Sequence, residues 1–209
     1  MDDDPDGNRP QAPAPHDATA EPTGTMAWPD IARWRKAERE RLITARLAIP
    51  ADDRAAMSTE IATQLDAIAG DVAGRTVSLY WPFRGEPDLR PWMASIVSRG
   101  GTPALPVVIE KAHPLVFRAY RPGDRLEKGV WNIPIPAEGD PVIPDITIAP
   151  LVGVDPQNYR LGYGGGFFDR TLASLPKKPL VIGVGYATQR IPTIHPQLHD
   201  IPMDQVVTV

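Results

Sequence analysis

The 209-residue chain has no cysteine, so disulfide frameworks, thiolate nucleophiles and cysteine-ligated metal sites are all excluded. It has no stretch near eighteen consecutive apolar residues, and its amino-terminal segment is acidic without an apolar core, so neither a membrane span nor a signal peptide is expected. It lacks a Gly-Lys-Ser/Thr phosphate loop and a G-x-G-x-x-G dinucleotide fingerprint. It also lacks a basic excess. The net charge is −4, and residues 1–25 carry six acids against Arg9, a net of −5. Subtraction leaves about +1 for the rest, a balance that suits a small anionic ligand better than a nucleic acid. The absence of thiols is compatible with a reducing cytoplasm, which is the expected location.

What is present centres on residues 160–169, Arg-Leu-Gly-Tyr-Gly-Gly-Gly-Phe-Phe-Asp. An apolar run over 146–154 precedes this decapeptide and reads as a buried strand end. A helix is expected from Phe167 to Leu175, stopped by Pro176. Strand, glycine loop and helix in that order present backbone N–H groups and a positive helix end to a phosphate. Arg160 adds a fixed charge at the loop entrance and Asp169 a carboxylate at the helix start. The glycines alone are equally consistent with a ligand-free turn; the flanking charges favour a site.

Elsewhere, residues 1–26 combine acids and prolines with almost no large apolar side chain, so this tail is expected to be disordered, followed by one domain over 27–209. A helix is expected over Trp28–Ile49, with Ile31, Trp34, Leu42, Ala45 and Ile49 on its apolar stripe and Arg35, Arg39 and Arg46 in a column beside it. A second amphipathic helix runs through Met57, Ile61, Leu65 and Ile68. Strands near 76–81, 102–108, 146–150, 180–184 and 205–209 alternate with helices or long crossovers. That alternation predicts an α/β fold: a single three-layer domain with a mostly parallel sheet and helices on both faces. His195 and His199 sit among prolines that argue against a shared helix face, so a zinc site is not expected.

The decapeptide resembles the RLG-x-G-x-G-YYD motif of the 5-formyltetrahydrofolate cyclo-ligase family, with Phe167 and Phe168 in place of the two tyrosines. The resemblance extends from about residue 33 to the end. It implies that the helix with Arg35, Lys36, Arg39 and Arg46 helps hold ATP, with either Arg35 or Lys36 in the place of the family's usual lysine. It implies phosphate contacts from Arg160, Leu161, Gly162, Tyr163, Gly164, Gly165, Gly166, Phe167 and Phe168, with Arg160 serving the chemistry. Residues 80–86 resemble the family's folate-binding stretch, which assigns Glu86 and Trp81 to the pterin; residues 131–136 resemble its Trp-Asn-Ile-Pro-x-Pro segment, which places Trp131 beside the cleft. Magnesium is implied on Asp169 and Asp204, with Asp200 as the alternative to Asp204. The activity implied is ATP-dependent closure of 5-formyltetrahydrofolate to 5,10-methenyltetrahydrofolate, with ATP as co-substrate and a monomer expected. A paralogue with the same ATP site but another substrate, and a non-catalytic nucleotide- or folate-binding module, remain open at this point. A sugar-phosphate isomerase of similar topology has no residue pattern here to support it.

Overall fold

The computed structural model describes residues 26–209. The tail expected to be disordered lies outside the described residues, apart from Met26. Pro29 sits in the first turn of α1 (Trp28–Ala48), where its missing N–H is no loss, and the chain turns at Ile49–Pro50 into α2 (Ala51–Ala69). α2 contains the expected Met57, Ile61, Leu65 and Ile68, and Pro50 stands at its amino end.

A seven-stranded sheet forms the middle layer, in the order β11 (Gln205–Thr208), β10 (Leu180–Gly185), β7 (Ile146–Pro150), β1 (Thr76–Ser78), β2 (Thr102–Val107), β3 (Val116–Ala119) and β6 (Pro141–Val142). The first five are parallel to one another. β3 pairs antiparallel with β2, and β6 with β3, so the sheet is mixed at one edge.

The period of two along each central strand sorts the side chains between two faces. Ile146, Ile148, Ile182 and Val184 pack in one cluster with Ile61 and Leu65 of α2 and with Trp92, Met93 and Ile96 of α3 (Arg90–Ser98). Ala149 and Val181 point the other way and meet Phe168 and Leu172 of α4 (Phe167–Ser174). Ile61, Leu65 and Ile96 are fully buried, and each such side chain is worth roughly 1.5–3 kcal/mol of transfer free energy. Helices therefore cover both faces, as the alternation of elements predicts.

Two short antiparallel pairs lie outside this sheet: β4 (Leu126–Lys128) with β5 (Pro134–Pro136), and β8 (Gly153–Val154) with β9 (Arg160–Leu161). The prolines hold β5 extended, but the two residues at the start of that segment are not: Trp131 and Asn132 have φ of +56° and +59°. The first stretch of the chain after β1 and the loops after β2 and β7 gather at the carboxyl ends of the parallel strands. That edge is where an open α/β sheet collects its ligands.

Candidate functional site

At this edge the chain encloses a cavity of about 760 Å³, bordered by α1, the strand ends at Tyr80, Val108 and Pro150, the glycine loop and the segment around Asp200. Pairing of β8 with β9 buries Arg160 and delivers the chain into residues 162–166. Gly166 takes φ +64° immediately before α4, a left-handed position that glycine adopts without a Cβ penalty. No side chain caps that helix. Among the described residues, no acceptor meets the N–H groups of residues 164–169. A row of free donors on a helix amino end is an anion cradle.

Two arginines flank it. Arg39 donates from Nε to the Gly162 carbonyl at 2.6 Å. Its guanidinium carbon lies 3.3 Å from where a Cβ on Gly164 would stand. Its two terminal nitrogens have no protein acceptor among the described residues. Burial, and then the neighbouring charge of Arg35, hold its pKa below the usual arginine value. Arg160 donates to Asp169 at 3.0 Å and lies 4.7 Å from the centre of the Phe168 ring. That contact uses only a ring face, so phenylalanine serves it as well as tyrosine. Among the described residues, the Nε of Arg160 is buried without any partner. A buried donor left unpaired costs about 1–3 kcal/mol, and an anion in the cavity would remove that cost.

The other cations of the column have different work. Arg35 donates to the Ile194 and His195 carbonyls and forms a 2.5 Å ion pair with Asp200. Arg46, wholly buried, donates to the carbonyls of Arg84 and Leu151 and to the Tyr163 hydroxyl. Both hold loops around the cavity, and Arg35 also borders it. Lys36 is exposed and does not border the cavity. The buried residues of α1 are Ile31, Arg35, Leu42 and Arg46, while Trp34, Ala45 and Ile49 of the expected stripe are half-buried, so two arginines of the column join its apolar face. Breaking the buried Arg35–Asp200 pair leaves one charge unpaired, at a cost of about 3–5 kcal/mol. At about 2–4 °C per kcal/mol for a domain of this size, Asp200→Ala is expected to melt about 6–20 °C lower, as thermal denaturation will report.

The acids sort just as clearly. Asp169 and Asp200 border the cavity and are joined through the Ile201 N–H, which donates to Asp169 at 3.2 Å. Asp204 does not. It precedes β11 at the amino end of the parallel strands, accepts from the Val181 N–H and pairs with Lys178 at 2.6 Å. Of the two acids offered for that role, Asp200 is the one that borders the cavity. No cluster of three or more His, Asp or Glu side chains occurs among the described residues.

Opposite the glycine loop, Glu86 is buried. It accepts from the Phe83 N–H at 2.9 Å and from the Tyr163 hydroxyl at 3.0 Å. Burial raises its pKa to about 7 against the pull of Arg46. Trp81 is half-buried in an edge contact with Tyr120 and has Arg90 over its ring. Trp131, 56% exposed, stacks on Phe83 at 6.0 Å and meets the edge of Tyr163. Both tryptophans border the cavity. The hydroxyl bridge from Arg46 through Tyr163 to Glu86 has no sequence signal, since its members are far apart in the chain. Phe83 carries one weak signal, its place between Trp81 and Glu86.

Two loop glycines should respond differently to alanine. At Gly164, φ is +94° and a methyl group would meet Arg39, so Gly164→Ala is expected to cost about 1–3 kcal/mol. A Cβ added at Gly162 would meet nothing within 4 Å among the described residues, and Gly162→Ala should hold stability within about 0.5 kcal/mol. Melting temperatures of the two variants check this contrast.

A free-donor loop with two guanidinium groups lies on one side of the cavity of this α/β protein, and a buried carboxylate among aromatic rings on the other. Comparison with known proteins gives its family. Residues 31–209 match the model of the 5-formyltetrahydrofolate cyclo-ligase family. The 5-formyltetrahydrofolate cyclo-ligase of Escherichia coli K12 is 31% identical over 174 residues, covering 78% of this chain and 93% of that one. The solved 5,10-methenyltetrahydrofolate synthetase of Aquifex aeolicus superposes with a TM-score of 0.72 at 27% identity, over 83% of this chain and 89% of that one. The synthetase from Mycoplasma pneumoniae shares the fold, with a TM-score of 0.68 at 22% identity over 82% and 96%. The chain belongs to the 5-formyltetrahydrofolate cyclo-ligase family, a family of enzymes.

Proposed function

We propose that the protein closes 5-formyltetrahydrofolate to 5,10-methenyltetrahydrofolate with conversion of ATP to ADP and phosphate. The observation that carries this reading is the pairing, across one cavity, of the unpartnered Arg160 Nε and the free N–H row with the buried Glu86. The formyl oxygen attacks the γ-phosphorus while the bond to the β–γ bridging oxygen breaks and ADP departs. N10 then attacks the formyl carbon, the carbon–oxygen bond to phosphate breaks, and N10 loses its proton as the ring closes.

The chain's part is to position and to neutralise charge rather than to bond covalently. Arg39, Arg160 and the loop N–H groups bind phosphoryl oxygens. Leu161 and Phe168 wall that end of the cavity, and Phe167 opens the helix whose amino end faces it. Glu86 accepts N–H bonds from the pterin, flanked by Trp81, while Trp131 covers the more exposed part of the substrate. Magnesium takes one or two carboxylates plus phosphate oxygens, and Asp169 and Asp200 on one wall would hold it in exchange for contacts with their present arginine partners. It would supply positive charge to offset that of the phosphates. The partners in this reading are a folate and ATP, in the cytoplasm. Stoichiometry tests it: purified protein should release one ADP per folate consumed. ADP release independent of folate would reject it.

A further inference from the structure

Resting on that reading, we propose that the Tyr163 hydroxyl is a positioning group that couples the two halves of the cavity, so that a folate on Glu86 organises the ATP loop. Tyr163 lies inside the loop, between Gly162 and Gly164, at the position the family motif leaves open. Its backbone therefore moves with the phosphate cradle. Its hydroxyl, however, is held on the folate side, donating to Glu86 Oε1 at 3.0 Å and accepting from Arg46 Nη2 at 2.5 Å. Arg46 in turn holds the Arg84 and Leu151 carbonyls. The loop after β1 and the exit from β7 are thus tied to the same hydroxyl.

From the folate side the Tyr163 ring also packs on Phe83 and Trp131. Among the described residues, the side-chain hydrogen bonds that reach the loop apart from those of this hydroxyl run to α1 and α4, through Arg39 to the Gly162 carbonyl and Arg170 to the Gly165 carbonyl. A ligand that takes up Glu86 lone pairs changes the partner of the hydroxyl directly, and the hydroxyl is two residues or fewer from most of the loop glycines. By linkage, the effect must be mutual, with ATP tightening folate by the same factor.

Tyr163→Phe keeps the ring against Phe83 and Trp131 and deletes only the bridge. Titration calorimetry with magnesium and a non-hydrolysable ATP analogue, with and without 5-formyltetrahydrofolate, reads the coupling. Wild type is expected to bind the analogue about fivefold or more tighter when folate is present. In Tyr163→Phe the coupling should fall below about twofold, whatever the affinity of each ligand alone. A variant that keeps the wild-type coupling, or a wild type without coupling, overturns the proposal. Wild type that binds neither ligand rejects the cyclo-ligase reading itself. Because the variant leaves Arg46 and Glu86 short of a partner, a second measurement avoids mutation. In wild type, folate alone should slow amide exchange over residues 162–166, and unchanged exchange there overturns the proposal.

Discussion

Replacing Arg160 with lysine is expected to lower kcat by about 10²–10³-fold, the usual cost of losing a preorganised donor at developing charge. Lysine keeps a positive charge near Asp169 but has no second nitrogen in a planar fork and no Nε to offer the cavity. The alanine variant should lose at least as much turnover. It is also expected to lose stability, because Asp169 is largely buried and its ion partner would be gone. The lysine variant therefore separates chemistry from folding. Steady-state kinetics with matched melting curves checks it, and near-normal turnover in Arg160→Lys would remove Arg160 from the phosphoryl step.

The second large effect belongs to Glu86. In the proposed reading, this buried carboxylate with a pKa of about 7 accepts two N–H bonds from the pterin when ionised, and protonation turns one of its oxygens into a donor. Wild-type KM for the folate should therefore rise as pH falls below about 7. Glu86→Gln offers one oxygen and no charge, so kcat/KM is expected to drop by about 10²-fold or more with a flattened pH profile. Stability moves in the opposite sense. The folded protein binds this proton more tightly than the unfolded chain, whose carboxyl titrates near 4.5. The penalty for holding the charged form is absent below pH 4.5 and grows between about 4.5 and 7. It reaches about 3 kcal/mol above that range, at about 1.4 kcal/mol per pH unit. Glu86→Gln should thus be the more stable protein at pH 8 and no more stable at pH 4, as denaturant unfolding at the two pH values will show.

The glycine loop was legible in the sequence because its signals are local: an apolar strand end, closely spaced glycines and a proline stop lie within about thirty residues. The central strands were legible for the same reason. The arginine column shows where local reading ends. Arg35 bonds a carbonyl 159 residues away and Arg46 one 105 residues away, and no periodicity in α1 announces those acceptors. A buried arginine looks like a ligand-binding one until its carbonyl partners are known. Asp200 and Asp204 are only four positions apart, yet the chain between them runs from the ligand edge of the sheet to the opposite one. The acid that immediately precedes a parallel strand lies at the strand's amino end, away from the cavity. Tyr163 was readable as part of the loop's backbone but not as a link to Glu86, because that contact depends on how the loop after β1 folds against α1.

One measurement tests the central claim most directly. Purified protein with MgATP and 5-formyltetrahydrofolate is followed by near-ultraviolet absorbance, since methenyltetrahydrofolate has an extended chromophore that the substrate lacks. The predicted result is a rise that requires both ATP and magnesium and is nearly abolished in Arg160→Lys. A folded protein that binds ATP and folate yet gives no rise would contradict it.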